Sequence, residues 1–308
     1  MSESLPLVEI DPAGAYAGTL SHLAASILTK SLKTVPRALK RAAKKWEKDD
    51  EYVHQLRVSG RRALTAVRLF APLIPDSQAA WFKKQLKAIL SVAGEARDLD
   101  VLMKEQLPRC GNAANQIGSA WMAERKKSQV SILKLYRKLT RNSRFRRHTQ
   151  SLMKTFEDVP HSTTAENLPS THDWIRDRLS DTSGRFFQSL SEAKDIPSLH
   201  RLRIDAKRLR YTIDLLKSAL EESPVHNLKA CLARLQEQLG SLQDHATALK
   251  HLKCARRIFQ KSRTQKILCK LIDAENESIA NCRSSFRLWS ESAAPMELPH
   301  DMEKCLQS

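Results

Sequence analysis

EYVHQLRVSGRRALTAVRLF, residues 51–70, and LHRLRIDAKRLRYTIDLL, residues 199–216, decide how this chain is read. With about 100° of rotation per helical residue, Leu56, Ala63, Val67 and Phe70 fall within a narrow arc of the first stretch. His54, Arg57, Arg61 and Arg68 fall on roughly the opposite arc. The stretch is therefore expected to form a helix with a core face and a cationic face. Its nearest acids, Asp50 and Glu51, precede the cations and do not neutralise them within the helix. Most Arg-rich helix faces are solvated surface, so the stretch alone does not establish a site.

The second stretch changes the weighing. Sliding the chain by 146 residues places His54 on His200, Leu56 on Leu202, Arg57 on Arg203, Arg62 on Arg208 and Leu86 on Leu232. The same ungapped shift places Gly94 on Gly240 and Asp98 on Asp244, so each Gly follows its His by 40 residues. His200, Arg203, Lys207 and Arg210 again share a face, opposite Leu202, Leu209, Ile213 and Leu216. A face that was merely solvated has no reason to recur in this form. The chain reads as a tandem duplication of one helical unit, divided into an N-terminal tail (1–14), a first repeat (15–157), a linker (158–171), a second repeat (172–292) and a C-terminal tail (293–308).

Composition agrees with an all-α fold and an anionic partner. Only 8 glycines and 6% aromatics accompany long tracts of helical periodicity, and no strand-like alternation is sustained. A first helix is expected over about residues 15–45, with Pro36 kinking it or opening a segment capped by Thr34. Asp76 or Ser77 is positioned to cap the helix through WFKKQLKAIL, and residues 121–148 read as one long helix. With 52 Lys plus Arg against 34 Asp plus Glu, the net charge is +18, which favours a polyanion such as nucleic acid, a polyphosphate or an anionic membrane surface. The six cysteines are scattered, without a CxxC, and read as reduced thiols of a cytoplasmic protein. Neither a secretory signal nor a membrane-spanning run is evident.

VHQLRVSGRR, AGEARDLDVL, LHRLRIDAKRLRY and LQEQLGSLQD, in this order, resemble the motif blocks of the CHAD family, the conserved histidine α-helical domain. The resemblance runs over nearly the whole chain. It implies two pseudo-twofold-related four-helix bundles around a basic central cavity that binds inorganic polyphosphate. Carried over by position, it assigns binding to His54, Arg57, Arg61 and Arg62 in the first repeat, and to His200, Arg203, Lys207, Arg208 and Arg210 in the second. Two departures break the symmetry: Leu64 stands where the second repeat has Arg210, with Arg68 one turn on to compensate, and Gln243 stands where the first has Arg97. Arg97 is counted with the binding residues. Further cations at helical spacing extend the candidate surface: Lys33, Arg37, Lys40 and Lys44 in the first helix, and Lys127, Lys134, Arg137, Arg141 and His148 beyond.

Polyphosphate carries about one negative charge per phosphate and no bases, so it calls for Lys and Arg with few stacking aromatics. For His54 and His200 three readings stand. They are phosphate ligands that take up protons on binding, with affinity rising toward about pH 6; or structural histidines bonded between helices; or metal ligands together with Asp98 and Asp244. The lack of HxxxH or Glu-x-x-His spacing disfavours the last. Asp98 and Asp244 are expected to position Arg57 and Arg203 or to cap the following helix segment, and Gly94 and Gly240 to permit close helix crossing. No carboxylate cluster for Mg²⁺ and no phosphate-cradling G-x-x-x-x-G-K-[ST] loop is present, so catalysis, cofactor and metal are not expected. The expected function is non-catalytic polyphosphate binding at polyphosphate granules; the alternative is a basic nucleic-acid-binding or nucleoid protein.

Overall fold

A computed structural model describes residues 20–157 and 170–307, apart from 221, 261 and 293. The expected N-terminal tail, 1–14, and all but the last two residues of the expected linker lie outside the described residues. Ten α-helices run in order: α1 (Leu20–Lys44), α2 (Glu51–Leu69), α3 (Asp76–Gln106), α4 (Ala114–Thr140), α5 (Arg144–Glu157), α6 (Thr171–Ser191), α7 (Ile196–Leu216), α8 (Glu222–Ile258), α9 (Ser262–Ser290) and α10 (Ala294–Gln307). Among the described residues there is no strand. The 146-residue shift carries α1–α5 onto α6–α10 in order, and it carries the short 3₁₀ turn Ala71–Leu73 onto another at Lys217–Ala219.

Each half differs in detail from a plain four-helix bundle. In the first, α1 packs on α2 and α4, α3 packs on the same two, and α5 docks on α1 and α4. In the second, α6, α7, α8 and α9 pack in succession while α10 lies against α6, α8 and α9. The residues read as a C-terminal tail thus form a helix of the bundle, because Leu298, Met302 and Cys305 bury a face in the core. The apolar faces read from the sequence are buried as expected: Leu56, Ala63, Val67 and Phe70 on α2, and Leu202, Leu209, Ile213 and Leu216 on α7.

Local chemistry sets the helix ends, in places against expectation. Helix α1 continues through Pro36. The Thr34 hydroxyl does not cap a new segment but donates to the Ser31 carbonyl at 2.8 Å, within the helix. Pro75 takes the cap position of α3, leaving Asp76 in the first turn, where its charge suits the helix dipole. The long helix expected over 121–148 breaks at Arg141–Ser143, where Asn142 and Ser143 both adopt φ 52°; Asn is among the residues that tolerate this left-handed conformation best. In the second repeat, Asp195 and Ser198 form a reciprocal capping box that starts α7.

Two apolar joints bind the halves. The main core draws on both repeats, and the Phe70 ring at the end of α2 stacks on Trp174 of α6 with centroids 4.9 Å apart. A second core gathers Leu99, Leu102, Ile117 and Trp121 with Leu252, Leu268 and Ile272. Beside it, the fully buried Glu275 of α9 accepts hydrogen bonds from Gln106 and Arg109 of the first repeat, and its other oxygen lies 2.7 Å from His245 Nδ1 of α8. A further buried charge sits inside the first repeat. The Arg125 Nε donates to Asp100 at 2.6 Å and its guanidinium covers Trp46, while Gln129 Nε2 donates to the Ala42 and Ala43 carbonyls that end α1.

Burial pushes the Glu275 carboxyl up, but the hydrogen bonds from His245, Arg109 and Gln106 outweigh it and hold the group below its ordinary 4.5. A depressed carboxylate contributes stability that is complete above the ordinary value and is lost as pH falls through the lower folded value. Glu275→Ala is therefore expected to cost on the order of 2 kcal/mol at neutral pH, since it removes the buried acceptor of hydrogen bonds from Gln106, Arg109 and His245 while the latter two remain part-exposed to water. Urea titrations at about pH 7 and about pH 4 should show the gap between wild type and variant narrowing on acidification. A gap that is constant with pH would mean the carboxylate is not the joint.

Candidate functional site

The α2 and α7 helices pack against each other, and α3 packs on α8, so helices equivalent under the shift meet across the middle of the molecule. This brings the two cationic faces together. Arg57 is held below its ordinary value by burial first, then by Arg61, with Arg203 and Arg97 acting the same way and Asp98 opposing them. Arg203 is lowered by burial, with Asp244 opposing and Arg61 adding to the shift. Lys207 is the most affected: burial, followed by Arg61, Arg203 and Arg57, lowers it from 10.5 to about 7. Further along, Arg68 is exposed on α2, yet partial desolvation of its guanidinium, and then Arg208 of the opposing helix, lower it.

The acids near these cations do not balance them. Arg57 Nη1 lies 3.9 Å from Asp98, whose side chain is 46% exposed. The Asp244 carboxyl is raised, first by desolvation and also by Asp98 across the repeats, while Arg203 and Lys207 pull it down. The Arg203 and Arg210 Nε atoms are buried without a hydrogen-bond partner.

The remaining expected residues divide. Arg97 donates to Asp50 at 2.6 Å and so is partly neutralised, while still acting on Arg57. Arg208 is likewise paired, with Asp205 at 2.9 Å, and Asp205 in turn accepts from Ser189. Arg62 is exposed and His54 half-buried on α2. His200 is exposed, with Nδ1 2.6 Å from the Gln243 amide oxygen, and the two side chains line a small pocket with Leu199, Arg203 and Leu242. The Arg210 guanidinium lies over its neighbour Tyr211, whereas the equivalent Leu64 is buried in the core, so this mismatch is one of packing as well as charge. Lys33, Arg37, Lys40, Lys44, Lys134, Arg137 and Arg141 are all exposed, and none is among the main charges acting on Arg57, Arg203 or Lys207. They belong to α1, α4 and the turn after α4, and helices α1 and α4 pack on other helices of the first repeat.

The two glycines play different parts from those expected. A Cβ at Gly94 would lie 2.9 Å from Arg57 Nη1, so this glycine makes room for the guanidinium instead of for a helix crossing. Gly240 has nothing within 4 Å of that position. The close crossing belongs to buried Gly60, where a Cβ would meet Leu90 of α3 at 3.2 Å. Sequence comparison of the repeats passes over Gly60 because its equivalent is Ala206. Among the described residues no group of three or more His, Cys, Asp or Glu is placed to hold a metal ion.

Gly94→Ala is expected to keep the fold, because the displaced atom is the mobile end of Arg57, yet to move that guanidinium and weaken anion binding severalfold. Gly240→Ala is expected to leave binding unchanged and add up to about 1 kcal/mol of stability through helix propensity. Thermal unfolding and anion titration of the two variants check both; equal behaviour would contradict the assigned role of Gly94.

Comparison with known proteins follows the same lines. The CHAD domain family profile matches residues 27–253. A search of curated proteins found no match. The fold is similar to a crystal structure of the CHAD domain from the plant Ricinus communis, with a TM-score of 0.60 and 21% identity over 93% of this chain and 92% of that one. It is also similar to PptA from Streptomyces chartreusis, with a TM-score of 0.62 and 13% identity over 89% of this chain and 100% of that one.

Proposed function

The chain belongs to the CHAD domain family, and from that membership together with the opposed cations of α2 and α7 we propose that it binds inorganic polyphosphate between its two repeats. The observation that carries this reading is that Arg57, Arg61, Arg203 and Lys207 from the two repeats gather on half-buried faces of α2 and α7, where burial first and the three arginines after it lower Lys207 to about 7. Such a cluster destabilises the empty protein, and a polyanion relieves it. A thin, flexible chain of phosphates reaches half-buried cations that a wider polymer does not. Arg57, Arg61, Arg203 and Lys207 form the centre of the site, with Arg68 and Arg208 extending it along the same pair of helices. Asp98 and Asp244 are positioning residues that steady Arg57 and Arg203. A basic cavity around the pseudo-twofold, and recruitment to polyphosphate granules in the cytoplasm, complete the reading.

The protein acts in this reading as a binding module, without turnover of the polymer. The two acids at the site sit beside arginines, which compete with any metal for their oxygens. Incubation with long-chain polyphosphate and Mg²⁺ is therefore expected to leave chain length unchanged on a gel.

Arg57→Glu with Arg203→Glu is expected to abolish polyphosphate binding with helicity intact by circular dichroism. Survival of binding would place the site elsewhere. At about 150 mM salt, excess duplex DNA is expected to displace bound polyphosphate poorly; displacement equal per phosphate would favour a general nucleic-acid-binding protein.

Proton linkage gives a second test. A polyanion beside Lys207 favours its charged form, so binding takes up a proton wherever the free group is neutral. Affinity is expected to fall as pH rises from about 7 toward the ordinary lysine value of 10.5. Lys207→Arg should flatten that dependence, because arginine stays charged throughout. Titrations at several pH values and constant ionic strength check this. A dependence confined to about pH 6, unchanged in the variant, would assign the linkage to the histidines instead.

A further inference from the structure

The first repeat carries a second cationic surface that the α2/α7 site does not use. From Arg125 to Phe156 the chain has eleven Lys and Arg and no Asp or Glu, whereas the equivalent run of the second repeat, Leu271 to Met302, has two Arg and six acids. Duplication alone does not account for this difference. Arg125 is consumed in its buried pair with Asp100, but the other ten cations, from Lys126 to Lys154, are all exposed. Lys127 meets Glu124 at 2.6 Å, and among the described residues no other of the ten forms an ion pair.

The local fold spreads these charges over a surface. The left-handed backbone at Asn142 and Ser143 ends α4 and lets α5 leave in a new direction. On α5, Arg144, Arg147 and Lys154 share one side, opposite the buried Phe145 and Leu152. His148 stacks on Trp81 of α3 with centroids 3.7 Å apart, which ties α5 to the bundle. Arg144 and Arg147 both act on that imidazole, placing them beside the stack.

The chemistry of the surface selects its partner. Helix α5 exposes no large apolar side chain, and among the described residues of α4 only Met122 and Val130, eight residues apart, are exposed, so the surface lacks the continuous apolar face by which an interfacial helix enters a lipid surface. Its cations are also unlike those at α2/α7, where Arg57 is only 19% exposed. They stand open on two helices joined by the left-handed turn at Asn142 and Ser143, within reach of a stiff, wide polyanion. We propose that the α4–α5 surface of the first repeat binds double-stranded nucleic acid through its phosphates, at a site separate from α2/α7. Binding of this kind reads charge and not bases, so it is independent of sequence and falls steeply with salt.

The test is fluorescence anisotropy of the full chain with a labelled duplex of about 30 base pairs, over a range of salt concentrations. Lys138→Glu, Arg144→Glu, Arg146→Glu and Arg147→Glu combined are expected to weaken duplex binding at least about tenfold and to lower the salt slope by about three or four. Polyphosphate affinity of the same variant should stay within about threefold of wild type. The same positions changed to Gln should act in the same direction, with less strain on folding. Conversely, Arg57→Glu with Arg203→Glu should retain duplex binding. Unaltered duplex affinity in the α4–α5 variants would overturn the proposal, as would parallel loss in the α2/α7 variant. Binding of wild type to phosphatidylglycerol vesicles but not to the duplex would overturn it in favour of a membrane. Failure of wild type to bind polyphosphate would count against the α2/α7 reading alone.

Discussion

Repulsion among the cations that α2 and α7 present to each other is the constraint to which the rest of the molecule answers. Arg61 acts on Arg57, Arg203 and Lys207 alike, and the nearby Asp98 and Asp244 do not offset the burial and repulsion that lower these three. Left to itself, this middle section would drive the repeats apart. Apolar and ionic joints hold them instead: the shared core with the Phe70–Trp174 stack, the second core around Trp121 and Leu252, and the buried Glu275 that gathers donors from both halves. The cost of concentrating like charge is met elsewhere in the fold, as is common where a site is organised in advance for a ligand.

The duplication explains how such a site arises. One helical unit with a cationic face has only a polar surface; two such units, packed through α2 and α7, present those faces to each other. Elsewhere the two copies differ. Leu64 is core where Arg210 is polar, Arg97 pairs with Asp50 where Gln243 pairs with His200, and the α4–α5 run is basic where α9–α10 is acidic. The centre keeps its charge in both copies, while the periphery has diverged enough for only one half to carry a second cationic surface.

Much of this was legible in the sequence. Helical periodicity fixed which faces of α2 and α7 are buried, and the ungapped shift fixed the order of the helices, because both depend on spacing along the chain. The role of Gly94 was not legible, since it depends on where the Arg57 side chain lies, and Gly60 was hidden because its repeat partner is alanine. The break at Asn142 was missed because the pattern of apolar residues continues across it while the backbone does not. Arg125 and Glu275 were missed for a related reason: charged residues within helices read as surface, and only the packing of distant helices shows that they are buried. The α1 and α4 stripes show the converse, being cationic and exposed yet apart from the central cluster.

The account rests on the claim that the two repeats hold one ligand jointly. A double-mutant cycle between Arg57→Ala and Arg203→Ala, read in polyphosphate affinity, addresses it most directly. Cations that share a ligand across the pseudo-twofold are expected to couple by more than about 0.5 kcal/mol. Strictly additive losses would mean that each repeat binds on its own, and would contradict the shared site.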